Sequence, residues 1–136
     1  RQRFLYPVPR LREGAALAGI ASAMMDVSDG LHDDLGKLMR ASACGADLDA
    51  GRLPLSRPPR AAVGIEAARE MALSGGDDYE LLFTVPAARE AQLARLTGRW
   101  ALPVTRIGTV RRRAGLRWTL DGEAFRFRDR TFRHFA

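Results

Sequence analysis

Two short stretches concentrate acidic side chains at turns, where carboxylates and backbone N–H groups can meet a ligand. In the first, Asp26-Val27-Ser28-Asp29-Gly30, a short apolar run gives way to a helical pattern, and Asp26 and Asp29 lie three residues apart across the change. That spacing can bring both carboxylates to one side, with Ser28 and the open N–H groups of a helix start facing the same space. Mg²⁺ is held by one or two carboxylates together with phosphate oxygens and water, and helix-start N–H groups favour those same phosphates. Helix capping is the plainer alternative, with Ser28 or Asp29 as the cap and Asp33 and Asp34 complementing the helix dipole. His32 reads as a solvated or packing residue, not as a ligand.

The second stretch is Ser74-Gly75-Gly76-Asp77-Asp78, which leads into the apolar run of Tyr79 to Val85. Adjacent glycines let a backbone pass close to a neighbour or a ligand, and the acids gather where a strand begins. A solvated turn before a buried strand accounts for this segment equally well by itself; two acidic turns in one chain make a charged ligand the stronger reading. No Ser, His and Asp set suggests a nucleophilic triad, and His32 and His134 lack the spacing of a zinc site. Phosphoryl transfer needs neither, because positioning and electrostatic clamping by metal do most of its work.

The elements that must carry these turns follow from periodicity. The X-Pro rhythm through Pro7 and Pro9 predicts an extended linker over residues 1–10, and the domain proper over 11–136. Leu11, Ala15, Ala18 and Ala21 predict a helix over Leu11 to Ser22. Ala23 to Val27 reads as a strand, then a tight turn, then a helix carrying Leu31, Leu35, Leu38 and Met39 that stops at Gly45. Ala46 to Asp49 is a further strand, and Leu53 to Pro59 a proline-bearing loop. Helix formers run from Ala61 to Leu73 with a break at Gly64. Tyr79 to Val85 is the strongest strand signal, and Pro86 closes it before a helix from Ala87 to Leu96. Pro103 to Val110, Leu116 to Leu120 and Ala124 to Phe127 are strands, the last two joined by the hairpin pair Asp121-Gly122. The mixed order predicts an α+β fold, a mixed and largely antiparallel sheet covered by helices.

The 136 residues suit one domain, and 46% hydrophobic with 28% charged residues is the balance of a folded chain without low-complexity tracts. The apolar stretch from Ala15 to Met25 is too short for a membrane span. The single cysteine, Cys44, excludes an internal disulfide and points to a reducing cytoplasm. The chain opens at Arg1 without a signal-like segment and reads as cut from something longer. A net charge of +6 invites a nucleic-acid reading. Lys37 is the only lysine in an arginine- and alanine-rich chain, however, a bias that genome composition explains. The Arg111 to Arg113 run reads as a solvated hairpin tip, with a phosphate-binding patch as the alternative.

Met25-Asp26-Val27-Ser28-Asp29-Gly30-Leu31 with Asp34-Leu35, and Ser74-Gly75-Gly76-Asp77-Asp78-Tyr79-Glu80-Leu81-Leu82-Phe83-Thr84, resemble two signatures of the thiamine-monophosphate kinase family. Pro7-Val8-Pro9-Arg10 resembles that family's link from its N-terminal domain, Ile107-Gly108 its late strand motif, and Phe132-Arg133-His134-Phe135 its tail, so the likeness covers essentially the whole chain. The resemblance implies a bacterial-type kinase that transfers the ATP γ-phosphate to thiamine monophosphate with several Mg²⁺ ions. It further implies the C-terminal fold of the aminoimidazole ribonucleotide synthetase superfamily, a cytoplasmic setting, a homodimer when full length, and no nucleic-acid or membrane partner.

Residue by residue, the resemblance makes Asp26 and Asp29 metal ligands, Ser28 an ATP contact, and Asp77 and Phe132 substrate contacts; it assigns no catalytic residue. Asp77 stands where the family usually has Glu, and Thr131 where the tail commonly has Gly. The family's N-terminal domain, which supplies most of the metal site and the nucleotide-binding segment, is absent, so this chain alone is expected to be inactive. Two alternatives remain at this level: another ATP-using enzyme of the superfamily, of selenophosphate synthetase or hydrogenase-maturation type, and a basic module that binds nucleic acid through its arginines.

Overall fold

Helix α2, Leu31–Ala41, organises the interior because its apolar residues recur with the helical period. In the computed structural model, which describes residues 8–55, 63–75 and 79–127, Leu35, Leu38 and Met39 are buried with Val27, Leu73, Leu82 and Trp118 in one cluster. Burying each such side chain contributes about 1.5–3 kcal/mol, so this helix fixes the turn that precedes it. Around it the chain runs α1 (Leu11–Leu17), β1 (Ala23–Asp26), α2, β2 (Gly45–Asp49), a 3₁₀ turn (Ala50–Arg52), α3 (Ile65–Ser74), β3 (Leu81–Thr84), a second 3₁₀ turn (Ala87–Arg89), α4 (Glu90–Thr97), β4 (Gly108–Arg111), β5 (Gly115–Leu120) and β6 (Glu123–Ala124).

The fold is α+β with mixed pairing, and its strands divide between two sheets. β1 and β3 form an antiparallel pair in which Asp26 lies opposite Leu81. The other sheet has the order β4-β2-β5-β6; β2 runs parallel to β5, and the other neighbours are antiparallel. Its inner face presents Ala46, Leu48 and Trp118 to the core. The β5–β6 turn matches expectation: Asp121 and Gly122 both take positive φ, as a tight two-residue hairpin requires.

Several expected elements are shorter than local pattern suggests, each for a non-local reason. Helix α1 stops at Leu17, because the Ser22 N–H already donates to the Thr84 carbonyl at 2.8 Å and the chain must be extended by then. β4 begins at Gly108, and its partner β2 ends at Asp49, whose N–H makes the last contact, to the Ile107 carbonyl at 2.9 Å. Residues 124–127 yield strand only at Ala124, although the Phe125 N–H still reaches the Trp118 carbonyl at 2.9 Å.

The end of α2 is a correction. Gly45 is not the left-handed residue after the helix; Ala43 is, at φ 51°. The N–H groups of Ala43 and Cys44 bond back to the carbonyls of Arg40 and Met39 at 3.1 and 3.0 Å, a Schellman closure. Gly45 opens β2, where a Cβ would fall 2.3 Å from the carbonyl oxygens of Arg113 and Gly115. The Arg111 to Arg113 run is likewise no hairpin tip, because β4 and β5 flank β2 and the chain between them arches over Gly45. Arg111 and Arg117 both pair with Asp47 at 2.9 Å.

Candidate functional site

The two acidic stretches, some fifty residues apart in sequence, are joined through their backbones. β1 delivers Asp26 at its end, and the next residue, Val27, donates its N–H to the Glu80 carbonyl and accepts from the Tyr79 N–H, both at 2.9 Å. The acidic turn and the strand entry therefore share one edge. Gly30 adds a second junction. It is buried at φ 116°, and a Cβ there would sit 3.1 Å from the Leu73 carbonyl oxygen and 3.2 and 3.3 Å from Ser74 backbone atoms. The turn can lie this close to the end of α3 because residue 30 has no side chain.

The expected caps are replaced by a different device. Gly30 is the N-cap of α2 and makes no side-chain cap. Instead Asp34, one turn into the helix and with no exposed surface, reaches back beneath the turn. Its Oδ2 accepts the N–H groups of Ser28 and Asp29 at 2.8 and 2.9 Å, and its Oδ1 accepts from Lys37 Nζ at 2.7 Å. The Lys37 ammonium also donates to Asp29 Oδ2. Burial acts to raise the Asp34 carboxyl pKa, but the Lys37 hydrogen bond and then the two backbone N–H groups outweigh it, and the net shift is downward. Lys37 is pushed up by its bonds to Asp29 and then Asp34.

This arrangement revises part of the sequence reading. The N–H groups of Ser28 and Asp29, expected to face a phosphate, are taken by the chain's own Asp34. Both proposed metal ligands, by contrast, face solvent: Asp26 and Asp29 are exposed and Ser28 is half-buried. His32 is a packing residue, as expected. Its Nδ1 accepts from Trp118 Nε1 at 3.0 Å, and Phe127 meets its ring edge-on at 5.0 Å. Asp77 and Phe132 lie outside the described residues.

Whether the turn suits Mg²⁺ depends on its donors. Hard divalent cations take carboxylate oxygens, and Asp26 and Asp29 offer two that water can reach. That an ammonium lies on Asp29 shows the turn attracting positive charge. Among the described residues no three His, Cys, Asp or Glu side chains converge. The donor set therefore fits a cation shared with phosphate oxygens, water or residues from elsewhere, and does not form a closed protein cage.

The sequence names Arg10, Asp34 and Lys37 without revealing the contacts that they make at the turn. Arg10, at the end of the Pro-rich entry, grips the half-exposed Glu80 through two hydrogen bonds of 2.8 and 2.6 Å and so ties the entering chain to the second acidic stretch. The signal for Asp34 was its position among the apolar residues of α2. Shallow grooves of about 590 and 620 Å³ lie among the described residues, and neither is lined by Asp26, Ser28 or Asp29. The acidic turn opens directly to solvent. Among the described residues no helix is long and apolar enough to cross a membrane.

Comparison with known proteins adds the following. Residues 4–121 match the family model for the AIR synthase related protein, C-terminal domain. The chain is 43% identical over 136 residues to the thiamine-monophosphate kinase of Salmonella typhimurium, covering 99% of this chain and 42% of that protein. Among solved structures it resembles the thiamine-monophosphate kinase of Stenotrophomonas maltophilia, with TM-score 0.80, 44% identity, and coverage of 90% of this chain and 38% of that one. It also resembles a structure described as AaThiL complexed with AMPPCP and TMP, with TM-score 0.71, 32% identity, and coverage of 98% and 40%. The chain thus spans less than half the length of the relatives it matches.

Proposed function

The chain belongs to the AIR synthase related family, within its C-terminal domain, and from that membership we propose that it serves as the C-terminal domain of an ATP-dependent kinase that converts thiamine monophosphate to thiamine diphosphate. The observation that carries this reading is the backbone pairing of Val27 with Tyr79 and Glu80, which gathers both signature stretches on one edge. Full-length relatives named as thiamine-monophosphate kinases support it.

In this reading Asp26 and Asp29 hold Mg²⁺, Ser28 contacts ATP, and Asp77 and Phe132 contact the thiamine phosphate. When bound, Mg²⁺ neutralises phosphate charge as the phosphoryl group moves. The chain's own contribution is positional: a rigid turn, held from below by Asp34 and packed through Gly30 on α3, presents carboxylates on a fixed backbone. Phosphoryl transfer gains most of its rate from such positioning. An N-terminal domain completes the site, the complete protein is a homodimer, and it works in the cytoplasm. Because the nucleotide-binding segment belongs to that other domain, this chain alone is inactive.

The test is ADP release by the full-length protein on adding thiamine monophosphate, with and without Mg²⁺. Metal-dependent, substrate-dependent turnover is expected, and Asp29→Ala should reduce it at least a hundredfold while moving the unfolding midpoint little, because the Asp29 ion pair with Lys37 is half exposed and such pairs contribute at most about 1 kcal/mol. A folded full-length protein with no turnover, or an Asp29→Ala variant at wild-type rate, rejects the assignment.

A further inference from the structure

We propose that Lys37 is a built-in counter-cation of the acidic turn, tethered by the buried Asp34 carboxylate and displaced from Asp29 when a divalent metal ion binds there. The proposal rests on the reading of Asp29 as a metal ligand. Its basis is the asymmetry of the Lys37 contacts. One partner, Asp34, is sealed from solvent and bonds Nζ at 2.7 Å; the other, Asp29, is half exposed. A cation arriving from solvent competes with Lys37 for Asp29 alone.

The two Asp34 oxygens divide the work. Oδ2 fixes the backbone of Ser28 and Asp29, so the turn keeps its shape whichever cation Asp29 holds. Oδ1 keeps the displaced ammonium from leaving. Lys37 thus holds the Asp29 carboxylate in place before metal arrives and lowers the affinity with which metal is taken. With an ammonium about 5 Å from a divalent ion in near-aqueous surroundings, Coulomb repulsion after salt screening amounts to roughly a three- to tenfold difference in binding.

Two substitutions should move metal affinity in opposite directions. Lys37→Met removes the competitor. Asp34→Asn keeps an oxygen for both backbone N–H groups but sets an NH₂ donor against the ammonium, which breaks the tether, leaves Lys37 to Asp29 alone and removes one negative charge. The experiment is titration of the full-length protein with Mn²⁺, followed by the electron paramagnetic resonance signal of free ion, without nucleotide. The site under test is the one that Asp29→Ala abolishes. At that site Lys37→Met should bind roughly three- to tenfold tighter than wild type, Lys37→Arg should match wild type, and Asp34→Asn should bind weaker by a similar factor.

A merely structural role for the pair predicts weakening in both variants. Equal or weaker binding in Lys37→Met overturns the counter-cation while leaving Asp29 as a ligand. Identical titrations of wild type and Asp29→Ala overturn the ligand reading and the proposal with it. If Asp34→Asn does not fold, the comparison of Lys37→Met with Lys37→Arg decides.

Discussion

Replacing Gly30 by Ala tests whether the two acidic stretches are held together by close backbone approach. Gly30 has φ 116° and ψ 144°, a conformation nearly closed to residues with a Cβ, and occupying it costs about 1–3 kcal/mol. The added carbon would also lie 3.1 Å from the Leu73 carbonyl oxygen, with Ser74 backbone atoms at 3.2 and 3.3 Å. These neighbours are main chain and cannot rotate away, so the end of α3 must shift, at a further cost of order 1 kcal/mol. The smaller entropy of the unfolded alanine chain returns about 0.4–1 kcal/mol. The net expectation is a loss of about 1–3 kcal/mol, or roughly 4–10 °C in melting temperature for a domain of this size.

Gly64 supplies the control. It is the N-cap of α3, at φ 83° and ψ 167°, and among the described residues a Cβ there would meet nothing within 4 Å. Gly64→Ala therefore carries backbone strain without collision, and urea unfolding of the two variants side by side isolates the collision term. Under the proposed function, Gly30→Ala should also lower kcat/KM at temperatures where it is fully folded, whereas Gly64→Ala should not. Equal stability of the two variants, with equal activity, would refute the claim that the turn is locked against α3.

Asp34 should make the fold acid-sensitive. Its folded pKa is depressed, so its contribution is fully present above the unfolded aspartate value of about 3.9 and is lost as pH falls through the lower folded value. Urea midpoints of wild type and Asp34→Asn should differ near pH 6 and draw together below about pH 4; curves that stay parallel contradict this. Ala43→Gly should stabilise the protein by about 0.5–1 kcal/mol, because residue 43 closes α2 at φ 51° and a left-handed residue with a Cβ is strained; a lower midpoint in chemical denaturation would count against it. Trp118→Phe removes the donor to His32 Nδ1 and leaves a gap in the core, for an expected loss of about 1–3 kcal/mol. Nitrogen chemical shifts of the His32 ring should change with it, and an unmoved spectrum would show that the bond does not form in solution.

What the sequence made legible is what residue type decides locally. Glycine, aspartate and proline mark turns by their own conformational limits, so the acidic turn before α2, the Asp121-Gly122 hairpin and the break at Gly64 could be read directly. Strand lengths could not, because a strand extends only as far as its partner. Residues 103–107 look as strand-like as 108–111, yet β2 reaches no further than the Ile107 carbonyl, which accepts the Asp49 N–H at 2.9 Å. The same limit hid the pairing of Val27 with Tyr79 and Glu80, which joins segments some fifty residues apart. It also hid the helix end at Leu17, where Gly19 weakens the helical pattern and strand pairing from Ser22 makes the chain extended.

Asp34 shows where reading of a single sequence fails although the signal is present. By type it is one of several acids near a helix start, and dipole complementation explains such acids well. By position it is unlike them. Leu31, Leu35 and Leu38 define the inward stripe of α2, and residue 34 lies on that stripe, three after Leu31 and four before Leu38. An ionised side chain on a buried stripe must find hydrogen-bond partners inside the protein. Helical side chains lean toward the N-terminus, so those partners had to come from the turn just before the helix, where Ser28 and Asp29 have N–H groups without helical acceptors. Lys37, one turn further on the same side, supplies the remaining charge. Counting acids therefore finds the exposed carboxylates proposed as ligands, whereas checking each acid against the helical stripe finds the residue that holds their turn in place.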